Sequence, residues 1–172
     1  ADAGVTCTVC HAITNVNSSR GNADYTIEEP LHYPFAFSDS SVLQWVNEQL
    51  IKAKPGFHKK TFLKTFHKTA EFCSTCHKVS LTEPVNNYRW LRGQDDFDNW
   101  DDSGVALNAS RTFYLPPSKR VCQDCHMPFE PAPRGDVAAD NGMVRSHRFL
   151  AVNTALAYVR GVTATVRRIE EF

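Results

Sequence analysis

Three copies of Cys-X-X-Cys-His, two stretches of helical apolar rhythm and long Pro/Gly/Asp-rich connections between them predict a mainly α, loop-rich fold. Alternation at the C-terminus adds a β-strand to that class. The triplets are Cys7-Thr8-Val9-Cys10-His11, Cys73-Ser74-Thr75-Cys76-His77 and Cys122-Gln123-Asp124-Cys125-His126, and they use every cysteine of the 172 residues. Two thiols spaced i, i+3 and followed directly by an imidazole are what c-type haem attachment needs. The thiols form thioethers with the vinyl groups, and the ring reaches iron from the same side. Three haem c groups are therefore expected, with Cys7, Cys10, His11, Cys73, Cys76, His77, Cys122, Cys125 and His126 as cofactor-binding residues. Large apolar haem faces then replace much of the core, so the fold is organised around haems.

The other chemistries of paired cysteines fit less well. Structural zinc takes four ligands, commonly two Cys-X-X-Cys pairs, and three pairs leave a remainder. A redox dithiol needs one copy and no following histidine. As disulfides, six cysteines paired so closely in sequence would staple a chain of this length poorly.

Element by element, residues 12–37 read as an extended loop, marked by Ser18-Ser19-Arg20-Gly21-Asn22 and Glu29-Pro30 and carrying His32. From Ser40 or Ser41 to about Lys54, Val42, Leu43, Trp45, Val46, Leu50, Ile51 and Ala53 keep helical spacing. A serine or Asp39 caps this helix, and Pro55-Gly56 stops it. A second stretch without Gly or Pro, from about His58 or Thr61 to Val79, predicts a continuous helix with His58 and His67 on opposite sides. A short helix is expected over Tyr88–Arg92, a polar loop from Gly93 to Ser110, an extended Thr112–Leu115, and a loop over 128–142. Phe149 to Arg160 reads as a helix, and Val162–Arg167 alternates apolar and polar as a half-buried strand does. The organisation is a trihaem domain over 1–160 and a C-terminal strand or tail over 161–172, suited to assembly because a lone strand needs partners.

The second axial ligand separates carrier from enzyme. With His11, His77 and His126 assigned, His32, His58, His67 and His147 remain, enough to cap three irons. These four are the candidate distal metal ligands. Met127 adjoins a proximal histidine and cannot reach the other face of its own haem; Met143 can serve only where a histidine does not. Two imidazoles per iron close the site to substrates and favour electron transfer at low potential.

Lysine plus arginine equals aspartate plus glutamate at 19 each. Haem propionates would make the holoprotein acidic, which argues against a nucleic-acid partner. No apolar run approaches the ~20 residues of a membrane span. Haem attachment of this kind occurs outside the cytoplasm, so the expectation is an exported protein, extracellular, cell-surface or periplasmic, with a signal peptide removed ahead of Ala1. Basic Lys52, Lys54, Lys59, Lys60, Lys64 and Lys68 and acidic Asp95, Asp96, Asp98, Asp101 and Asp102 read first as solvated faces and second as complementary docking surfaces. The acidic run lacks the spacing and terminal glutamate of an EF-hand.

The phrases Phe72-Cys73-Ser74-Thr75-Cys76-His77-Lys78, Trp90-Leu91-Arg92-Gly93-Gln94 and Cys125-His126-Met127-Pro128 resemble those of large multihaem c-type cytochromes of environmental bacteria. The likeness covers most of residues 4–160. It implies an electron conduit of a respiratory chain or, in some members, a subunit of an extracellular cytochrome filament. This chain departs from the larger relatives in carrying three motifs and in ending soon after the C-terminal strand. Partners would be redox proteins or identical subunits joined head to tail. The early first motif, the surplus histidine and the partnerless strand point to the latter. The alternatives are a reductase of small nitrogen or sulfur oxyanions with one open iron, and a haem-storage protein.

Overall fold

In the computed structural model the described residues are 6–81, 84–85, 91–109, 116–151 and 154–171. They form a mixed fold, 41% helical and 15% strand, with the strands in three separate two-stranded antiparallel hairpins. The expected mainly α class is thus corrected to α plus small β, with helix still dominant. The expected Thr112–Leu115 strand and residues 88–90 of the short helix lie outside the described residues.

Motif one is the single-turn helix α1 (Cys7–His11), which runs into β1 (Ile13–Val16); β1 pairs with β2 (Tyr25–Ile27) through Ile13↔Ile27 and Val16↔Tyr25. Residues 12–37 therefore contain a bulged hairpin where a loop was expected. Its turn docks on motif two: Ala23 N–H donates to the Thr75 carbonyl at 2.8 Å, and Asn22 N–H to that of Lys78 at 2.9 Å. Gly21, at φ +78°, makes this approach possible, since a Cβ there would collide with the Lys78 carbonyl.

The helix α2 (Ser41–Ala53) matches its expected bounds. Pro55 stops it by disfavouring helical geometry at Lys54, and also opens α3 (Pro55–Phe62) as its first residue. The long second helix is corrected to three pieces: α3, a 3-10 turn over Thr65–Lys68, and α4 (Ala70–His77), with Lys64 and Thr69 extended between them. Freedom from Gly and Pro is not enough for continuity here. The Lys64 ammonium terminates α3 by donating to the Thr61 and His11 carbonyls at 2.8 and 3.0 Å. The Thr69 hydroxyl takes the Phe66 carbonyl at 2.9 Å, competing with helix propagation. His58 and His67 consequently sit on different elements.

After α4, β3 (Lys78–Leu81) pairs with β4 (Leu91–Asp95), and α5 (Asp96–Asp101) follows with the Asp95 carboxylate accepting from the Asp98 N–H. Leu91 and Arg92, expected in a short helix, and residues 93–95, expected in a loop, are strand. Motif three is α6 (Cys122–His126); β5 (Phe129–Pro131), inside the expected 128–142 loop, pairs with β6 (Met143–Arg145), just beyond it. The helix expected from Phe149 is the shorter α7 (Ala155–Val159).

The C-terminal strand is overturned. Residues Thr163–Glu170 are the helix α8, packed against α7, with Thr165, Val166 and Ile169 half-buried. Val162, Val166 and Ile169 recur at i, i+4, i+7, so the segment satisfies helical spacing as well as alternation. As a helix the segment meets its backbone hydrogen bonds internally, and Arg168 on it reaches Glu130 of β5 at 4.0 Å.

Among the described residues the buried apolar side chains are Ala12, Ile13, Ala70, Phe97 and Ala106. The chain exposes 12818 Å². A folded chain of 19.4 kDa would ordinarily expose about 8,500 Å².

Candidate metal and cofactor centre

At about 100° per residue, Cys i+3 and His i+4 fall within an arc of roughly 100° around the first cysteine. All three motifs are helical, so each presents two thiols and an imidazole on one face of a single turn. In motifs two and three intervening residues turn inward, while Thr8 and Val9 of motif one are exposed. Ser74, Thr75 and Gln123 are buried, as are Ala12 and Ile13 just after motif one, whereas Cys7, Cys76 and Cys125 are exposed. The backs of motifs two and three thus contribute to the small core, and Cys10, Cys73 and Cys122 are half-buried.

The motifs, 66 and 49 residues apart by their first cysteines (73 − 7 and 122 − 73), converge. The Cys73 and Cys122 thiols lie close enough to interact, which brings Cys122 down from the usual thiol pKa and, with burial, pushes Cys73 up. Cys73 also feels Cys10 and Cys76, and burial, with the nearby Cys76 and Cys7, raises Cys10. Buried Gln123 locks motif three to motif two, its amide donating to the His67 and Thr69 carbonyls at 2.7 and 2.8 Å. Arg145 fixes the far end of α6, donating to the Gln123 and Met127 carbonyls at 2.8 and 3.1 Å and pairing with Asp124 at 2.9 Å.

Each motif histidine is held by its Nδ1. His11 Nδ1 lies 2.6 Å from the Phe62 carbonyl, and His126 Nδ1 2.6 Å from that of Leu150. His77 Nδ1 lies 3.0 Å from Asp96 Oδ2. A carbonyl only accepts, so on His11 and His126 the proton is on Nδ1 and Nε2 is the nitrogen with ligating capacity; His77 Nδ1 sits between the Asp96 carboxylate and the Gln94 amide, 3.1 Å away. The bond from His77, and then one from Gln94, hold Asp96 below the ordinary carboxylate pKa. Four members of the acidic run are thus tied within the chain: Asp96 meets His77, Asp98 pairs with Lys78 at 2.6 Å, Asp95 pairs with Arg92 at 2.6 Å, and Asp101 accepts from the Asn108 amide at 2.8 Å. Sequence reasoning missed Asp96, Phe62 and Leu150. The carboxylate 19 residues after His77 was visible only as part of a charge run, and backbone carbonyls give no side-chain signal.

The four other histidines divide. His147 follows the motif pattern, Nδ1 at 2.9 Å from the Arg145 carbonyl. His67 is reversed: Nδ1 accepts from Lys64 N–H at 3.3 Å, which places the proton on Nε2, a buried atom that closes no hydrogen bond. Burial, then His11, brings its pKa down to about 4, against an upward pull from the Cys10 carbonyl. His32 directs Nε2 to Glu29 at 3.2 Å. His58 packs on Phe62 at 4.9 Å, and burial is the largest influence lowering its pKa. The structure gathers His11, His67 and His147, with ring centres 5.0 and 6.2 Å from His11. His77 and His126 lie away from this group and both influence Asp96.

Among the described residues no three His, Cys, Asp or Glu side chains come together as a cage that could hold a metal ion alone. The four-ligand zinc arrangement is therefore not formed there. The residues do fit a group that joins two thiols, takes one imidazole and brings its own apolar surface: Val9, Val79 and Phe129 stand exposed in or within a few residues of the motifs. No helix is long and apolar enough to cross a membrane, among the described residues. Comparison with protein families, curated proteins and solved structures finds no match.

Proposed function

We propose that this chain is an exported, three-haem c-type electron carrier. The observation that carries the reading is the threefold recurrence of one arrangement: a helical turn with Cys, Cys and His on one face and the histidine Nδ1 beside an acceptor. The six cysteines anchor the groups, and His11, His77 and His126 ligate through Nε2. The Phe62 and Leu150 carbonyls and the Asp96 carboxylate fix the ring planes. Haem c supplies a reversible one-electron change at iron; the polypeptide sets spacing and potential. The Gln123 amide bonds that tie motif three to the backbone leading into motif two support close spacing of the centres.

Head-to-tail association of copies loses one of its motives, because the unpaired strand is a helix. It now rests on the histidine count, and electron microscopy of concentrated holoprotein tests it. The intact mass of exported protein should carry three haem increments. Its oxidised spectrum should be low-spin, with little change when carbon monoxide is added after reduction. A mass without those increments overturns the proposal; strong carbon monoxide binding favours the oxyanion-reductase alternative.

A further inference from the structure

We infer that His11 and His147 are the two axial ligands of one and the same iron, the one attached at motif one. This rests on the three-haem reading and goes beyond it by assigning a distal ligand to its haem. Two imidazoles on opposite sides of one metal, each with a metal–nitrogen bond of about 2 Å and roughly 1 Å from nitrogen to ring centre, have centres about 6 Å apart. The His11 and His147 ring centres are 6.2 Å apart, with ring planes 36° from each other. Both rings spend Nδ1 on a backbone carbonyl, Phe62 for His11 and Arg145 for His147, so both keep an Nε2 lone pair.

The competing neighbour, His67, does not meet these conditions. It lies closer, at 5.0 Å and nearly edge-on at 78°, too near to sit across a metal from His11. Its Nδ1 takes the Lys64 N–H, which leaves the proton on the nitrogen that would have to bind. His147 is also fixed by more than its own contacts. It comes two residues after Arg145, whose guanidinium ties β6 to α6, so the ligand of motif one is delivered by the hairpin that braces motif three.

The test is a spin-state count on intact holoprotein bearing His11→Gly, His147→Gly or both, with haem number verified by mass. Thioether anchors are untouched, so all forms should keep three haems. Each single variant should convert one haem in three to a high-spin, carbon monoxide-reactive form that added imidazole returns to low spin. Because the two rings share an iron, the double variant should also convert one in three. Two in three in the double variant, or an entirely low-spin His147→Gly protein, overturns the pairing. If His147→Gly does not accumulate, His147→Gln carries the same count. A wild-type mass lacking three haem increments would instead sink the three-haem reading itself, whatever the spin counts show.

Discussion

Removing the negative charge behind His77 should raise the potential of one haem and leave the other two in place. His77 is the only motif histidine whose Nδ1 meets a carboxylate; the other two meet carbonyls. A carboxylate makes the imidazole more electron-donating and favours the more highly charged ferric state, so Asp96→Asn should move that potential upward. Partners of this kind are worth about 10- to 100-fold in metal affinity. The low end applies here, because the His77 and Asp96 side chains are 59% and 63% exposed and water screens them. A tenfold change in the ferric-to-ferrous preference is about 59 mV for one electron, and screening reduces the expected rise to roughly 30–60 mV. The pH dependence follows. Asp96 is held below its ordinary pKa, first by the His77 bond, so its influence is complete above that ordinary value and is lost as pH falls through the lowered one. Wild type should therefore approach the variant's potential only below about pH 4. Spectroelectrochemical titration at neutral pH should resolve one shifted wave. Asp98→Asn, which touches Lys78 and Arg92 rather than a histidine, should leave the waves nearly unmoved. Three unchanged waves in Asp96→Asn, or a downward shift, would refute the reasoning.

Arg145→Ala removes three charge-assisted contacts at the end of α6, one third of that side chain being solvent-exposed. Denaturant unfolding of the holoprotein should show a loss of about 2 kcal/mol. Gly21→Ala drives a methyl group into the Lys78 carbonyl at a positive φ, and should cost roughly 2–3 kcal/mol in the same assay. Replacing all six cysteines by alanine should leave a chain without a cooperative thermal transition by circular dichroism. A sharp native-like melt of that variant would contradict the dependence on bound groups argued from the small core.

What could be read in the sequence was local. The three motifs carry their chemistry in five consecutive residues, and α2 declares itself through seven apolar positions at helical spacing with Pro55 behind it. The hairpins were missed because their strands are three to five residues long, and two of the three pairs are bulged, which leaves too short an alternation to detect. The opposite error arose at α8. Val162 and Val166 fit either period, Ala164 fits the alternation alone, and Ile169, one turn beyond Val166, fits the helix alone. Helix continuity through Leu63–Thr69 failed for a long-range reason, since the Lys64 ammonium reaches His11, 53 residues away. The same limit hid the carbonyls behind His11 and His126, which come from residues 51 and 24 positions distant.

These long-range tethers make the three motifs interdependent. Phe62 orients the motif-one histidine from α3, and the hairpin that follows motif one clamps the end of the motif-two helix through Ala23 and Asn22. Gln123 of motif three grips the backbone leading into motif two, and Arg145 joins motif three to the strand ahead of His147. With few apolar side chains buried, little independent core remains to insulate one motif from loss of another. On the proposed reading, Cys122→Ala/Cys125→Ala should therefore do more than delete the third haem. Releasing α6 frees the Arg145 brace and with it His147, so a second, chemically intact centre at motif one should gain high-spin character. Neighbours that share no such brace give additive effects, and additivity here would mean the motifs fold as separate units.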